Sequence, residues 1–326
     1  MIWLPMWLPL AANAVLAATG PTLVRVLPPR VGVRLLPTAM VVVAAGTGAV
    51  LASLGFLALA LVPAVAAVGD WSPIALRATR PGPVPMEVAA GVAMLVLLGS
   101  AVRQILRAGH FLVRTHSACR SLGTHTYGLV VIADDVPDAY ALPTLPGHLP
   151  GQAASGIGGR IVVSTALLRL LTAGERRVVL AHETAHLIGH HHLYVQLADL
   201  AAAANPLLRA TARRVRLAVE RDADEAAAAE VGDRRLVART LARAGLARAA
   251  ASPLRPDSGV ALAATDTFVA QRAMALLSPA PRPRRILTAG LVLLVGVALL
   301  GTAAAAHQID DNLDNAERAP AATASY

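Results

Sequence analysis

Four stretches of this chain contain no charged residue: 1–24, 35–69, 88–102 and 286–309. About 20 apolar residues cross the core of a bilayer, so three of the four are long enough as they stand. The third reaches that length at Leu106 if Arg103 sits at the interface and turns its guanidinium to water. No basic residue precedes the first stretch and Arg25 follows it. That is the reverse of a secretory leader, so the stretch is read as a retained span. With 56% hydrophobic and 3% aromatic residues the chain is also too apolar for one water-soluble core. The predicted fold class is an α-helical polytopic membrane protein of about four spans.

Arginine placement orients it. Arg25, Arg30 and Arg34 follow span one, Arg103, Arg107, Arg114 and Arg120 follow span three, and Arg282, Arg284 and Arg285 precede span four. The loop after span two has only Arg77 and Arg80 against Asp70 and Glu87. The positive-inside rule therefore predicts a multi-pass protein of the bacterial plasma membrane with its N-terminus outside. The expected division is 1–106 with three spans, 107–285 as a cytoplasmic domain, 286–309 as the fourth span and 310–326 as a short extracytoplasmic tail.

All 29 basic residues are Arg, which excludes a lysine base, a lysine Schiff base and a Ser-Lys protease dyad. The single Cys119 permits neither an intrachain disulfide nor a Cys-rich zinc knuckle, and is expected to pack near the end of span three. A net charge of +9 would suit nucleic acid. The aromatics that stack bases are scarce, however, and membrane-proximal arginine accounts for the excess, so the bilayer is the expected partner and direct nucleic-acid binding is not.

Between Arg107 and Arg285 the apolar runs shorten and charges return. THTYGLVVIADD (124–135), DAYALP (138–143) and GRIVVST (159–165) read as extended segments, with a Pro- and Gly-rich loop between the last two. TAGE (172–175) is a capping box: Thr172 accepts from the Glu175 amide while Glu175 reaches back, so a helix starts at Ala173. Further helices are expected over 192–204, from Asn205-Pro206 through VRLAVERDADEAAAAE, and over DRRLVARTLARAG to Gly245. The domain should be α+β.

The first of these helices carries HETAH. His182 and His186 lie one turn apart on one face, so both imidazoles can reach one zinc ion, and Glu183, about 100° round, can reach a water there without being a ligand. A catalytic zinc site needs a third protein ligand. Glu220 supplies a carboxylate on a later helix, and Asp224, four residues on and on the same face, can orient a histidine ligand through its other ring nitrogen.

HETAH followed by ERDAD, preceded by DAYALP and RIVVSTALLRLL, resembles the membrane gluzincin metallopeptidases. The closer family is the BlaR/MecR type (M56), with a cytoplasmic zincin domain between a third and a fourth span; the neighbour is the HtpX/Ste24 type (M48). The resemblance implies a cytoplasmic zincin-like metalloprotease domain, one Zn2+ per chain held by His182, His186 and Glu220, Glu183 as base and Asp224 in support. Two departures stand out. The loop 144–159 is longer and richer in Pro and Gly than the family suggests, and the extracellular penicillin-binding domain of the β-lactam receptors is missing. The 33 residues from Leu187 to Val219 also look too few for the membrane hairpin common in HtpX/Ste24 proteins.

The expected activity is zinc-dependent endopeptidase cleavage of a protein or peptide substrate, with a winged-helix repressor as a possible target. An HtpX/Ste24-like quality-control protease and a non-catalytic zinc-binding receptor are the alternatives. A site-2-type intramembrane protease is disfavoured by Glu175, Arg176 and Arg177 just before the motif, and a purely structural zinc site has no use for Glu183. Substrate is expected to add as a strand beside DAYALP or RIVVST, along Ala139, Tyr140, Ala141 and Leu142, with the Ala139 and Ala141 amides facing it. Tyr140, Tyr194 and the histidines after the motif are candidates for steadying an oxyanion. His190, His191 and His192 are expected to be structural or interfacial, and Arg235, Arg239 and Arg243 to form a solvated stripe.

Overall fold

The computed structural model describes residues 4–78, 81–122, 128–144, 159–251 and 259–318, with the side chains of Leu4 and of 259–267 outside that set. Four of its helices are long and apolar enough to cross a membrane: α1 (Leu4–Val26), α2 (Pro29–Leu59), α5 (Val84–Ser121) and α12 (Arg285–Arg318). Short helices α3 (Pro63–Gly69) and α4 (Pro73–Ala78) join the second to the third. The break between the first two follows from Pro28 and Pro29: proline cannot donate into a preceding turn but is at home at the first position of a helix. α2 and α5 pack closely where Gly55 faces Gly91, since a Cβ on Gly55 would stand 2.5 Å from the Gly91 Cα. Small residues at such crossings replace the hydrophobic drive that lipid removes.

After α5 come three short strands, β1 (Leu129–Ile132), β2 (Ala139–Pro143) and β3 (Gly159–Ser164), in the sheet order β1-β3-β2. β3 pairs parallel with β1 and antiparallel with β2. RIVVST is therefore the middle strand, paired on both flanks, and cannot accept a substrate strand as anticipated. The cause is burial: Gly159–Ser164 are all buried, the pattern of a strand covered on every side. Residues 124–127, which open the first anticipated strand, and most of the anticipated Pro/Gly loop, 145–158, lie outside the described residues.

The remaining elements are helices: α6 (Thr165–Leu170), α7 (Ala173–Ile188), α8 (His191–Ala204), a 3-10 turn (Pro206–Leu208), α9 (Arg209–Val231), α10 (Arg234–Ala251) and α11 (Gly259–Leu277). Thr172 and Glu175 form the expected capping box at the start of α7. α9 ends where Gly232 turns left-handed, φ 76°. α10 runs past Gly245 to Ala251, and α11 was not anticipated.

One core unites the spans with the helices around the motif. Leu16, Leu36, Met40 and Val43 of the spans are buried together with Ala198 and Ala201 of α8, Val215 and Val219 of α9, and Ala298 of α12. The interval after the motif is thus more than a tether: α8 and the first half of α9 fold back onto α1 and α2. Alanine makes this possible, because its short side chain lets a helix nest closely against another. A buried amide pair, Asn205 Nδ2 donating to Asn13 Oδ1 at 2.9 Å, pins the turn before α9 to α1.

Candidate active site

α7 and α9 pack side by side and bring the two halves of the sequence motif together. His182 Nε2 lies 3.1 Å from His186 Nε2, and Glu220 places one oxygen 3.6 Å from His182 Nε2 and the other 3.7 Å from His186 Nε2. Among the described residues these three form the group able to hold a metal. Tetrahedral zinc with bonds of 2.0–2.1 Å has ligand–ligand edges of about 3.4 Å, so this triangle fits the ion. The donor set of two imidazoles and a carboxylate suits it as well.

Each histidine is held from behind. His182 Nδ1 stands 3.1 Å from Asp224 Oδ1, so its Nδ1–H donates there and Nε2 keeps its lone pair for the metal. His186 is held by one of the histidines after the motif, His191, which were expected to be structural or interfacial. Its Nδ1 faces His191 Nδ1 at 3.0 Å, and His191 Nε2 faces Asp222 Oδ2 at 3.1 Å. If His186 binds metal through Nε2, its proton is on Nδ1; His191 must accept at Nδ1 and donate from Nε2 to Asp222. One tautomer satisfies the whole chain. His191 is 3% exposed. It reaches this position because His190 adopts a left-handed conformation, φ 49°, between α7 and α8. Gly189 leaves the room: a Cβ there would meet His191 Nε2 at 2.5 Å.

Arg272 on α11 completes the site and was not anticipated. Its Nε and Nη2 donate to the two oxygens of Asp224 at 2.8 and 2.7 Å, and its Nη1 lies 2.8 Å from Glu220 Oε2. One guanidinium thus fixes the carboxylate behind His182 and the carboxylate that completes the triangle, the fork geometry arginine is built for. The sequence did carry a signal. Asp266 and Arg272 are the only charged residues in α11, an otherwise apolar helix, and a cation in such a setting implies a partner.

Electrostatics follow from this crowding. Burial works against a charged His182, but Asp224 and Glu220 outweigh it and push its pKa up to about 9. Burial and the neighbouring His182 charge push His186 down to about 3. Burial opposes ionised Glu220 and Asp224, yet their histidine and Arg272 partners hold both below the usual carboxylate range. Glu183 goes the other way. Burial raises it, with partial relief from His182 and from the Ala141 amide, which hydrogen-bonds to its carboxylate. A carboxylate raised toward neutrality is suited to taking and returning a proton.

These groups line a cleft of about 830 Å3. Asp138, Ala139 and Tyr140 of the β2 side form one wall, and Val237, Leu241 and Phe268 of α10 and α11 contribute to another. In the antiparallel pair, the Ser164 amide donates to the Asp138 carbonyl at 2.9 Å and Tyr140 lies opposite Val162. Asp138, Tyr140 and Leu142 therefore turn their peptide groups toward β3, and Ala139 and Ala141 turn theirs away from it. Ala141 is already engaged by Glu183, which leaves Ala139 as the open position. Tyr140 borders the cleft, whereas Tyr194 packs against the shared core of the spans. The arginine stripe is not uniformly solvated, since Arg243 bonds the capping-box Glu175 at 2.9 Å.

Residues 111–218 match the family model for Peptidase family M48. The matched segment contains HETAH and ends just before Glu220. No curated protein and no solved structure matches the chain. The match covers about a third of the chain and supports an M48-type metallopeptidase, the second of the two families that the sequence resembles, while the BlaR/MecR-type assignment is not confirmed by it.

Proposed function

We propose that this chain is a membrane-embedded endopeptidase that hydrolyses peptide bonds of protein substrates at a site on the cytoplasmic side, within a zincin-like α+β domain. The observation that carries the reading is the convergence of His182, His186 and Glu220 on one point, with Glu183 beside them in the cleft and outside the ligand set. A zinc ion bound there supplies Lewis acidity that polarises the scissile carbonyl and acidifies water.

The chain's own residues do the rest. Glu183 takes the proton of the attacking water and hands it to the leaving amine; its burial-raised affinity for a proton serves both halves of that transfer. The outward peptide groups of β2 hold an extended substrate across the cleft by main-chain hydrogen bonds, which fix its direction without reading its sequence. Asp224 with Arg272, and His191 with Asp222, keep the two imidazoles aimed.

Glu183→Gln should keep zinc and lose proteolysis, whereas Glu220→Ala should lose both. Metal analysis of each purified variant beside a peptide-cleavage assay decides this, and an active Glu183→Gln would defeat the mechanism. Orientation is tested by a periplasm-active phosphatase, inactive when fused near Gly174 and active after Asp314. The motif's place between the third and fourth apolar helices is shared with the BlaR/MecR-type peptidases and supports regulated cleavage of a winged-helix repressor as the role. Unchanged repressor levels in a Glu183→Gln strain would refute that role while leaving the chemistry standing.

A further inference from the structure

A cavity of about 700 Å3 opens where the span bundle meets the helices of the metal site, between the end of α1, the middle of α9, the end of α11 and the segment leading to α12. Among the described residues four arginines line it, Arg25, Arg221, Arg282 and Arg284, and no carboxylate does. Arg221 is half-buried and held in place, its Nη1 donating to the Arg25 carbonyl at 3.4 Å. Glu225 and Asp224 act on its charge from outside the cavity wall. The side chains of Arg25, Arg282 and Arg284 make no ion pair among the described residues. Cations gathered round one cavity repel each other, and an anion bound among them relieves the repulsion.

A second groove, of about 540 Å3, shares Arg284 with this cavity and continues along α2 and α12. Pro28, Val31, Ala289, Val292 and Leu293 line it. The Thr288 hydroxyl in its wall is already spent on the Arg284 carbonyl at 3.1 Å. Both helices are long and apolar enough to span a bilayer, and Arg25 and Arg284 flank the ends of apolar helices, the level at which headgroups lie. The cavity therefore offers cationic donors at the interface, and the groove offers an apolar track leading from them into the membrane. A free phosphate would use only the first.

We propose that this pair of cavities binds one anionic phospholipid, its phosphate among the four arginines and an acyl chain in the groove between α2 and α12. The site adjoins the metal centre. Arg221 follows Glu220 on α9, and Gln271 and Met274 of the cavity wall flank Arg272 on α11. The lipid thus bridges the two helices that supply Glu220 and Arg272.

The full chain, purified in an uncharged detergent, would be titrated with phosphatidylglycerol, with phosphatidylcholine of the same acyl chains and with inorganic phosphate, and bound lipid counted by native mass spectrometry. Phosphatidylglycerol should be retained at least about tenfold better than phosphatidylcholine, with the preference falling as salt rises. Each arginine removed at a membrane surface costs about fivefold, so the Arg25→Gln, Arg284→Gln double variant should bind about twenty-fivefold more weakly. Ala289→Trp, which fills the groove and leaves every arginine in place, should weaken phosphatidylglycerol as well. Equal retention of the two lipids by the wild-type chain, which needs no variant to fold, would overturn the proposal. So would phosphatidylglycerol binding that survives the double variant. Displacement by inorganic phosphate together with no effect of Ala289→Trp would mean a free-phosphate site, and the lipid assignment would fall.

Discussion

Replacing His191 by Phe isolates one link of the metal site. The ring volume is kept, the acceptor facing His186 Nδ1 at 3.0 Å is lost, and so is the donor to Asp222 at 3.1 Å. Asp222, with 22% of its side chain exposed, can turn to water; the His186 Nδ1–H, behind a ring that is 17% exposed, cannot do so easily. A buried donor left unpaired costs about 1–3 kcal/mol, which is about 5- to 150-fold in zinc affinity, and the effect of the outer partners of metal-bound histidines, about 10- to 100-fold, falls within that range. Because only one neutral N–H is stranded, about tenfold is expected. His191→Asn, whose amide oxygen can stand near the lost Nδ1, should recover most of it, and Gly189→Ala should mimic the loss by pushing the His191 ring away. Zinc affinity is read by competition with a chelating dye on the purified protein, and thermal unfolding of the metal-free form separates folding from binding. A Phe variant with zinc affinity within twofold of wild type would show that His191 does not orient His186.

Ala139→Pro should slow peptide turnover at least about tenfold with zinc content unchanged, since it removes an outward amide of β2; unaltered turnover would refute strand addition at this edge. Ala141→Pro is the less specific variant because its amide also serves Glu183. Arg272→Met leaves Asp224, a residue only 2% exposed, with His182 Nδ1 as its remaining partner and removes the guanidinium it shares with Glu220, and should lower stability by about 3 kcal/mol. Adding Asp224→Asn should restore part of that, and strictly additive losses in denaturant unfolding would contradict the pairing. Thr172→Ala should cost about 1 kcal/mol through the cap of α7. The Thr172 amide, against the opposing effect of burial, holds Glu175 below its ordinary pKa, so the stabilisation is present above the unfolded-state value and disappears as pH falls through the depressed one. Wild type and Glu175→Gln should therefore differ in stability at pH 7 and converge as pH falls below the depressed Glu175 value.

The sequence determined whatever depends on local period. Uncharged stretches of bilayer length became helices of spanning length, Thr172 and Glu175 started α7, and the one-turn spacings of His182 with His186 and of Glu220 with Asp224 set each pair on one helix face. These follow from 3.6 residues per turn and from the length of an apolar run, which any reader of the chain can count. Only tertiary structure decided the rest. RIVVST became the middle strand because strand order depends on what covers each flank, and two extended segments that look alike in sequence do not encode that order. His191 came under His186 through a left-handed residue and a missing Cβ, a break at which helical counting stops. Arg272 reached Asp224 and Glu220 from a helix about 50 residues further along, and α8 and α9 joined the core of the spans. Such contacts exist because buried charge must find its counter-charge and buried apolar faces must find each other. Separation along the chain says nothing about where they do.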